Sequence, residues 1–294
     1  MTDAQPSRSS HRGDKPGKTR TMWHPLLARL LDFALDPAFS VTEEISVGKM
    51  PLQMDILLVR RKGSRLSELS RRELSELVPL LNRFTLIEFK APSDAMRRGD
   101  FAHLVGCSFL WHSKQKGRVC SSDVSLMVLA PRVNKALLDE VRLLECRTQH
   151  HQPGVFRVTG LPFAVWLIET DAMAEHGQPV LSLVSRVFLK DHRRIIEGLK
   201  RTGHADLVHY MVQQIRQFQS DETFAMKHRY SKDLKKLHEE LLTELLEATP
   251  TEQRLRGIPP EERLSGLSLE EFAAGLSKEQ AVRLRQLLEP KQGR

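Results

Sequence analysis

Apolar and polar positions along this chain change their period several times, and each change predicts an element. Residues 24–35 (HPLLARLLDFAL) set Leu26, Leu27, Leu30, Leu31 and Ala34 at helical spacing. Pro25 suits the first turn of that helix, and Asp36-Pro37 closes it. Residues 39–47 read as a strand, with Gly48-Lys49 turning into a second strand over 52–59 (LQMDILLV). Gly63 interrupts the pattern. Residues 66–84 then read as one helix, with Ser67 or Ser70 as its N-cap. Residues 85–92 (TLIEFKAP) carry the Thr, Ile and Phe of a strand that stops at Pro92. A helix follows over 100–116. Phe101, Leu104, Val105, Ser108 and Leu110 are expected on its packed side, and Asp100, His103, Cys107 and Lys114 along another.

The second half is read the same way. Residues 124–130 (VSLMVLA) form a buried strand and 133–146 an amphipathic helix. Residues 154–158 and 163–169 are two more strands around the Gly160-Leu161-Pro162 turn, with Trp166 and Ile168 in the core. His150-His151 reads as a loop pair without the further ligands a zinc site needs. Glu169 and Asp171 read as a strand exit, and 178–189 as a last strand or a helix. From 191 to about 248 the chain turns helical and polar, with a leucine stripe from Leu234 to Leu246. Lys227, His228, Arg229, Lys232, Lys235 and Lys236 add a basic stretch there, either a nucleic-acid contact or a solvated face. Residues 250–282 repeat with a period of nine. Pro or Ser opens each unit, an acid follows two positions later, and Gly closes three of them.

Composition narrows the class. A chain of 294 residues suggests two domains, or one with appendages. With 40% hydrophobic and 28% charged residues it reads as globular and able to bury a core. The formal charge of +8 suits a polyanionic partner, but the excess is spread out: +3 over residues 1–20, +1 over 250–294 and the rest between. Residues 1–20 have almost nothing to bury and read as a disordered basic tail. Cys107, Cys120 and Cys146 lack metal-ligand spacing and fit buried thiols in a reducing compartment. With no signal peptide pattern and no run of membrane-spanning length, the cytoplasm is the expected location, with no membrane partner.

Three charges interrupt the apolar strands. Asp55 is the only charged residue between Lys49 and Arg60, and Glu88 and Lys90 share one face of the strand over 85–92. Buried charges are costly unless they pair or bind a metal. Asp55 and Glu88 together suit one hard divalent cation, which binds carboxylate oxygens, water and phosphate. Lys90 is suited to orient a water or to stabilise developing charge. A structural ion pair that fixes the sheet is the alternative for the same residues.

The pattern Asp55, then Glu88-Phe89-Lys90, on strands reading MDILL and IEFKAP with a helix after them, resembles the PD-(D/E)XK nuclease superfamily. Within it, the wording is similar to the branch of Rpn-type recombination-promoting and transposase-like nucleases. The likeness covers roughly residues 24–130, and Met54 stands where the superfamily pattern has Pro. The resemblance implies an α/β fold, a restriction-endonuclease-like mixed β-sheet core flanked by helices and followed by a helical C-terminal region. It implies a metal-dependent endonuclease acting on DNA, with Asp55, Glu88 and Lys90 catalytic. Asp55, Glu88 and the Phe89 backbone carbonyl would be the ligands of Mg²⁺ or Mn²⁺. Glu43 or Glu44 on the first strand and His103 on the helix after the Glu-x-Lys strand are accessory candidates, each with a plain structural reading beside it.

The expected organisation is a tail over 1–20, a nuclease-like domain over 21–190, a helical extension over 191–248 and the short repeats over 249–294. Residues 191–294 are also a candidate surface for a second copy or a protein partner. A catalytically silent, nuclease-like binding or scaffold module is the alternative function.

Overall fold

The computed structural model describes residues 22–46, 53–115, 118–220, 235–237 and 239–240. The expectations for the basic tail, the Gly48-Lys49 turn, residues 227–232 and the nine-residue repeats lie outside the described residues. Seven strands form one mixed sheet in the order β1-β2-β3-β4-β7-β6-β5. These are β1 (Phe39–Ser46), β2 (Gln53–Arg60), β3 (Phe84–Phe89), β4 (Val124–Ala130), β5 (Arg147–Gln152), β6 (Val155–Thr159) and β7 (Ala164–Glu169). β3, β4 and β7 run parallel in the middle, and antiparallel hairpins extend the sheet on either side. Every residue of β3 and β4 is buried, as expected of central strands covered on both faces.

One face carries α3 (Asp100–Lys114) and α4 (Lys135–Leu143). Phe101, Leu104, Val105 and Trp111 pack there with Leu57, Leu86, Leu126, Val128, Val165 and Leu167 in one cluster. Residues of opposite parity, Ile56, Leu58, Ile87, Phe89, Met127, Leu129 and Ile168, are buried as well. α1 (Trp23–Leu35) packs with β1 and with α9 (Ala205–Ser220), where Phe33 stacks on Tyr210. Between β7 and α9 the chain forms α5 (Thr170–Glu175), α6 (Pro179–Ser182), α7 (Arg186–Lys190) and α8 (His192–Arg201). Residues 170–220, beyond the sheet, are therefore mostly helical, and residues 178–189 take the helical alternative.

The structure corrects several expectations. Residues 66–84 do not form one helix. α2 (Glu68–Glu73) starts at Ser67, whose side chain accepts the Ser70 N–H, and a 3-10 turn follows over Val78–Leu80. α2 ends at Glu73, six residues before Pro79, and Pro79, which lacks an N–H, sits in the 3-10 turn and keeps an α-helix from resuming through it. Leu74, Leu77 and Leu80 are buried all the same, which explains their helical spacing. His150 and His151 lie in β5, the exposed edge strand of a hairpin, rather than in a loop. An edge strand with polar side chains on both faces leaves no apolar alternation to read. Leu110 is 43% exposed because two helical steps from Ser108 turn it about 200° away from the packed stripe. Cys107 and Cys146 are buried, but Cys120 is exposed.

Candidate active site

β2 and β3 pair antiparallel with Ile56 opposite Ile87 and Leu57 opposite Leu86. One more residue in that register sets Asp55 opposite Glu88. Alternation then puts both carboxylates on the face of Leu57 and Leu86, under α3. Both are buried, Asp55 at 4% and Glu88 at 8% exposure. The sheet ladder continues past β3 as the Lys90 N–H donates to the Leu129 carbonyl at 2.8 Å, which fixes the backbone that carries Lys90.

Each charge has defined partners. Asp55 Oδ2 accepts the backbone N–H of Phe89 at 2.8 Å. The Phe89 carbonyl faces His24 Nε2 at 3.1 Å, and the same nitrogen lies 3.8 Å from Asp55 Oδ2. The His24 ring meets the Phe89 ring edge-on at 5.3 Å. Lys90 Nζ sits 2.8 Å from Glu88 Oε1 and 3.0 Å from Asp100 Oδ2. Asp100 opens α3, where the Glu140 carboxylate from α4 accepts the backbone N–H groups of Gly99 and Phe101. A buried acid thus holds the helix terminus that presents Asp100 to Lys90.

The charge balance sets the protonation states. Burial, and then the charge of Asp55, push the Glu88 pKa up to about 7 in spite of Lys90. Burial pulls the Lys90 ammonium down, but its charge interactions and hydrogen bonds with Glu88 and Asp100 outweigh that, and its pKa is raised. Lys90 therefore stays cationic at neutral pH. It can hold or stabilise an anion but does not serve as a proton acceptor. The Cys107 thiol is pushed up by burial and by the charge of Glu88, so this stretch of α3 also lies over the site.

The other candidates fall at different removes. Glu44 lies in the row of Asp55, between the paired rows Glu43–Ile56 and Ile45–Met54, and is exposed with a φ of 52°. Glu43 is half-buried opposite Ile56. His103 contacts Cys107 Sγ at 3.5 Å, one turn along α3. His24 and Asp100 join the cluster without having been singled out as site residues. Nothing in sequence links His24 to Phe89, which lies 65 positions away. The helix-start position of Asp100, ten residues after Lys90, was the one available clue.

The residues fit a divalent cation on a specific count. Two buried carboxylates lie on one face of adjacent strands, and Glu88 is held toward neutrality first by burial and then by the charge of Asp55, a cost that a cation at the pair relieves. Among the described residues no group of three or more His, Cys, Asp or Glu side chains is arranged to hold a metal. An ion at Asp55 and Glu88 would take its remaining ligands from a carbonyl, water or phosphate. Comparison with known proteins gives no matching family model, no matching curated protein and no matching solved structure.

Proposed function

We propose that this chain is a metal-dependent endonuclease that hydrolyses DNA phosphodiester bonds, with a PD-(D/E)XK-type site of the Rpn-like branch. The observation that carries this reading is the pair of buried carboxylates, Asp55 and Glu88, with the cationic Lys90 on Glu88. Asp55 lies 3.8 Å from His24 Nε2 and Glu88 lies 2.8 Å from Lys90 Nζ, so two buried carboxylates stand together at one end of the strand pair, an arrangement that supports a shared cation.

Asp55, Glu88 and the Phe89 carbonyl are the groups that would hold Mg²⁺ or Mn²⁺. Such an ion supplies Lewis-acid stabilisation of a phosphate and a bound water of lowered pKa. The Phe89 N–H anchors Asp55 Oδ2, which fixes where that carboxylate stands beside Glu88. Glu88 must be ionised to bind a cation. Lys90, held between Glu88 and Asp100, supplies a fixed positive charge beside the phosphate and a donor that can orient the attacking water. His24 keeps the Phe89 carbonyl and the Asp55 carboxylate in their relative positions. DNA rather than RNA as substrate follows from the resemblance. A cytoplasmic location belongs to the same reading; among the described residues no helix is long and apolar enough to cross a membrane.

The test is cleavage of supercoiled plasmid with Mg²⁺, Mn²⁺ or EDTA, comparing the parent protein with Lys90→Ala. Metal-dependent nicking that disappears in Lys90→Ala is the expected result. Equal cutting by both proteins rejects this assignment of the site. No cutting by either shifts the weight to the alternative, a silent nuclease-like fold acting as a binding or scaffold module through its helical C-terminal region, with a second copy or a protein as partner.

A further inference from the structure

At the other end of the β2–β3 pair the chain forms an open recess of about 610 Å³ lined by Arg60, Arg61, Lys62, Gly63, Ser64 and Arg83. Four of the six lining residues are cationic and none is acidic. Two separate segments build it, and the Arg60 N–H donates to the Arg83 carbonyl at 2.8 Å, which fixes their spacing. The turn is held in place as well: the Arg61 N–H and the Ser64 hydroxyl both donate to the Ala38 carbonyl, at 2.8 and 2.9 Å. Arg61 meets Asp36 at 3.4 Å on the surface. Among the described residues Arg60, Lys62 and Arg83 form no ion pair, and Arg83 lies over the Phe84 ring at 4.9 Å.

Four like charges gathered around one recess repel one another, and an anion offsets that repulsion. All four cations are exposed, and no buried donor encloses the space. That form suits a chain of phosphates passing across it better than a small anion sealed inside it. We propose that this recess is a second contact for nucleic-acid backbone, separate from the carboxylate site and engaging successive phosphates through Arg60, Lys62, Arg83 and Arg61. Arg60 is five residues along β2 from Asp55. At roughly 3.3–3.4 Å per residue the two positions are about 17 Å apart along the strand, and the odd step puts Arg60 on the sheet face opposite to Asp55, so the recess is a contact of its own rather than a continuation of the carboxylate site. The inference takes its substrate class from the nuclease reading, but it concerns binding and is measured without cleavage.

The experiment is fluorescence anisotropy with the full chain, a labelled 30-base-pair duplex and EDTA, over a series of salt concentrations. The variant is Arg60→Ala/Lys62→Ala/Arg83→Ala, which leaves Arg61 with Asp36. The control, Arg118→Ala/Arg132→Ala/Lys135→Ala, removes the same charge from exposed positions elsewhere. The recess variant should bind at least about tenfold more weakly at low salt. Its plot of log affinity against log salt should flatten by up to about 2.7, at about 0.9 for each phosphate that is no longer neutralised. Replacing the same three residues by Lys, Lys62 being Lys already, should restore the slope. A recess variant that is folded by circular dichroism and binds like the control overturns the proposal. So does binding of inorganic polyphosphate or anionic lipid vesicles in place of DNA. Loss of binding in a protein that never cuts supports the recess and rejects the nuclease. Unchanged binding with Lys90-dependent cutting does the reverse.

Discussion

Asp55 Oδ2 accepts the backbone N–H of Phe89 at 2.8 Å, so the acid of one strand is tied to the backbone between the acid and the base of the next. Movement of β3 against β2 breaks that bond. The geometry of the three charges is therefore a property of the strand pairing, and several consequences can be measured.

Glu88 makes the protein without metal sensitive to pH. Its folded pKa, about 7, lies above the unfolded value near 4.5. A raised pKa contributes stability that is fully present below the unfolded value and is lost as pH rises through the folded one. Ionising Glu88 in the fold should cost up to about 3 kcal/mol. In EDTA, Glu88→Gln should therefore melt higher than the parent at pH 8, and the gap should shrink toward pH 4.5. A gap that is constant with pH would show that Glu88 is not the group responsible.

Cation binding has the opposite pH dependence. Glu88 must lose its proton to become a ligand, so Mn²⁺ affinity measured by calorimetry should rise through about pH 7, with proton release below it. Asp55→Asn retains an oxygen for the Phe89 N–H but removes the charge. It should weaken Mn²⁺ binding tenfold or more, at about 1.4 kcal/mol per factor of ten, with a small change in Tm.

Glu140 should matter more than its distance from the carboxylates suggests. It accepts two backbone N–H groups at the start of α3 and is 5% exposed. Glu140→Ala leaves those donors buried without the acid, at a cost of about 1–3 kcal/mol. Because Asp100 is in that first turn, metal-dependent nicking should fall along with Tm. Glu140→Gln should recover only part of the stability, since its one amide oxygen can accept from Gly99 or Phe101 while its NH2 faces the other N–H.

The helices beyond the sheet are tied to α2 by a buried acid. Glu73, 0% exposed, meets His204 Nδ1 at 2.8 Å and Arg72 at 2.8 Å, while its carbonyl accepts from Gln178 at 2.7 Å. Removing one partner of such a network costs about 3–5 kcal/mol, or a Tm drop of roughly 10 °C in a domain of this size. Glu73→Ala should show it by differential scanning fluorimetry. Truncation after Lys190 removes both His204 and the Tyr210 ring that stacks on Phe33, and should destabilise the chain at least as much.

Much of the sheet was legible because its strands are short apolar runs bounded by turn residues. Val124–Ala130 matches to the residue and the strand of Asp55 to within one, while the strand of Glu88 ends at Phe89, three residues before Pro92. The edge strand Arg147–Gln152 was missed because its polar side chains carry no burial signal. The helix expected over 66–84 stops after Glu73, and the leucine spacing beyond it belongs to a turn and a 3-10 segment through Pro79, a residue that cannot sit inside a helix. For the site, an isolated acid in each of two apolar strands and a lysine two positions on were visible because a charge in a buried run is costly. His24, Asp100 and Glu140 were not singled out, since polar residues near helix starts or on amphipathic helices are ordinary there.

Apolar periodicity and the cost of burying charge act within a few residues of chain, so the local pattern carries most of the burial in each element, Leu110 and Cys120 apart, and marks the charges that stand among apolar neighbours. Which groups meet is settled in three dimensions: Asp55 across from Glu88, His24 on the Phe89 carbonyl, Asp100 on Lys90, and four cations around one recess. Those relationships depend on the order of the seven strands and on where α1 and α3 land on the sheet. They are fixed by packing between segments tens of residues apart, and no local pattern encodes them.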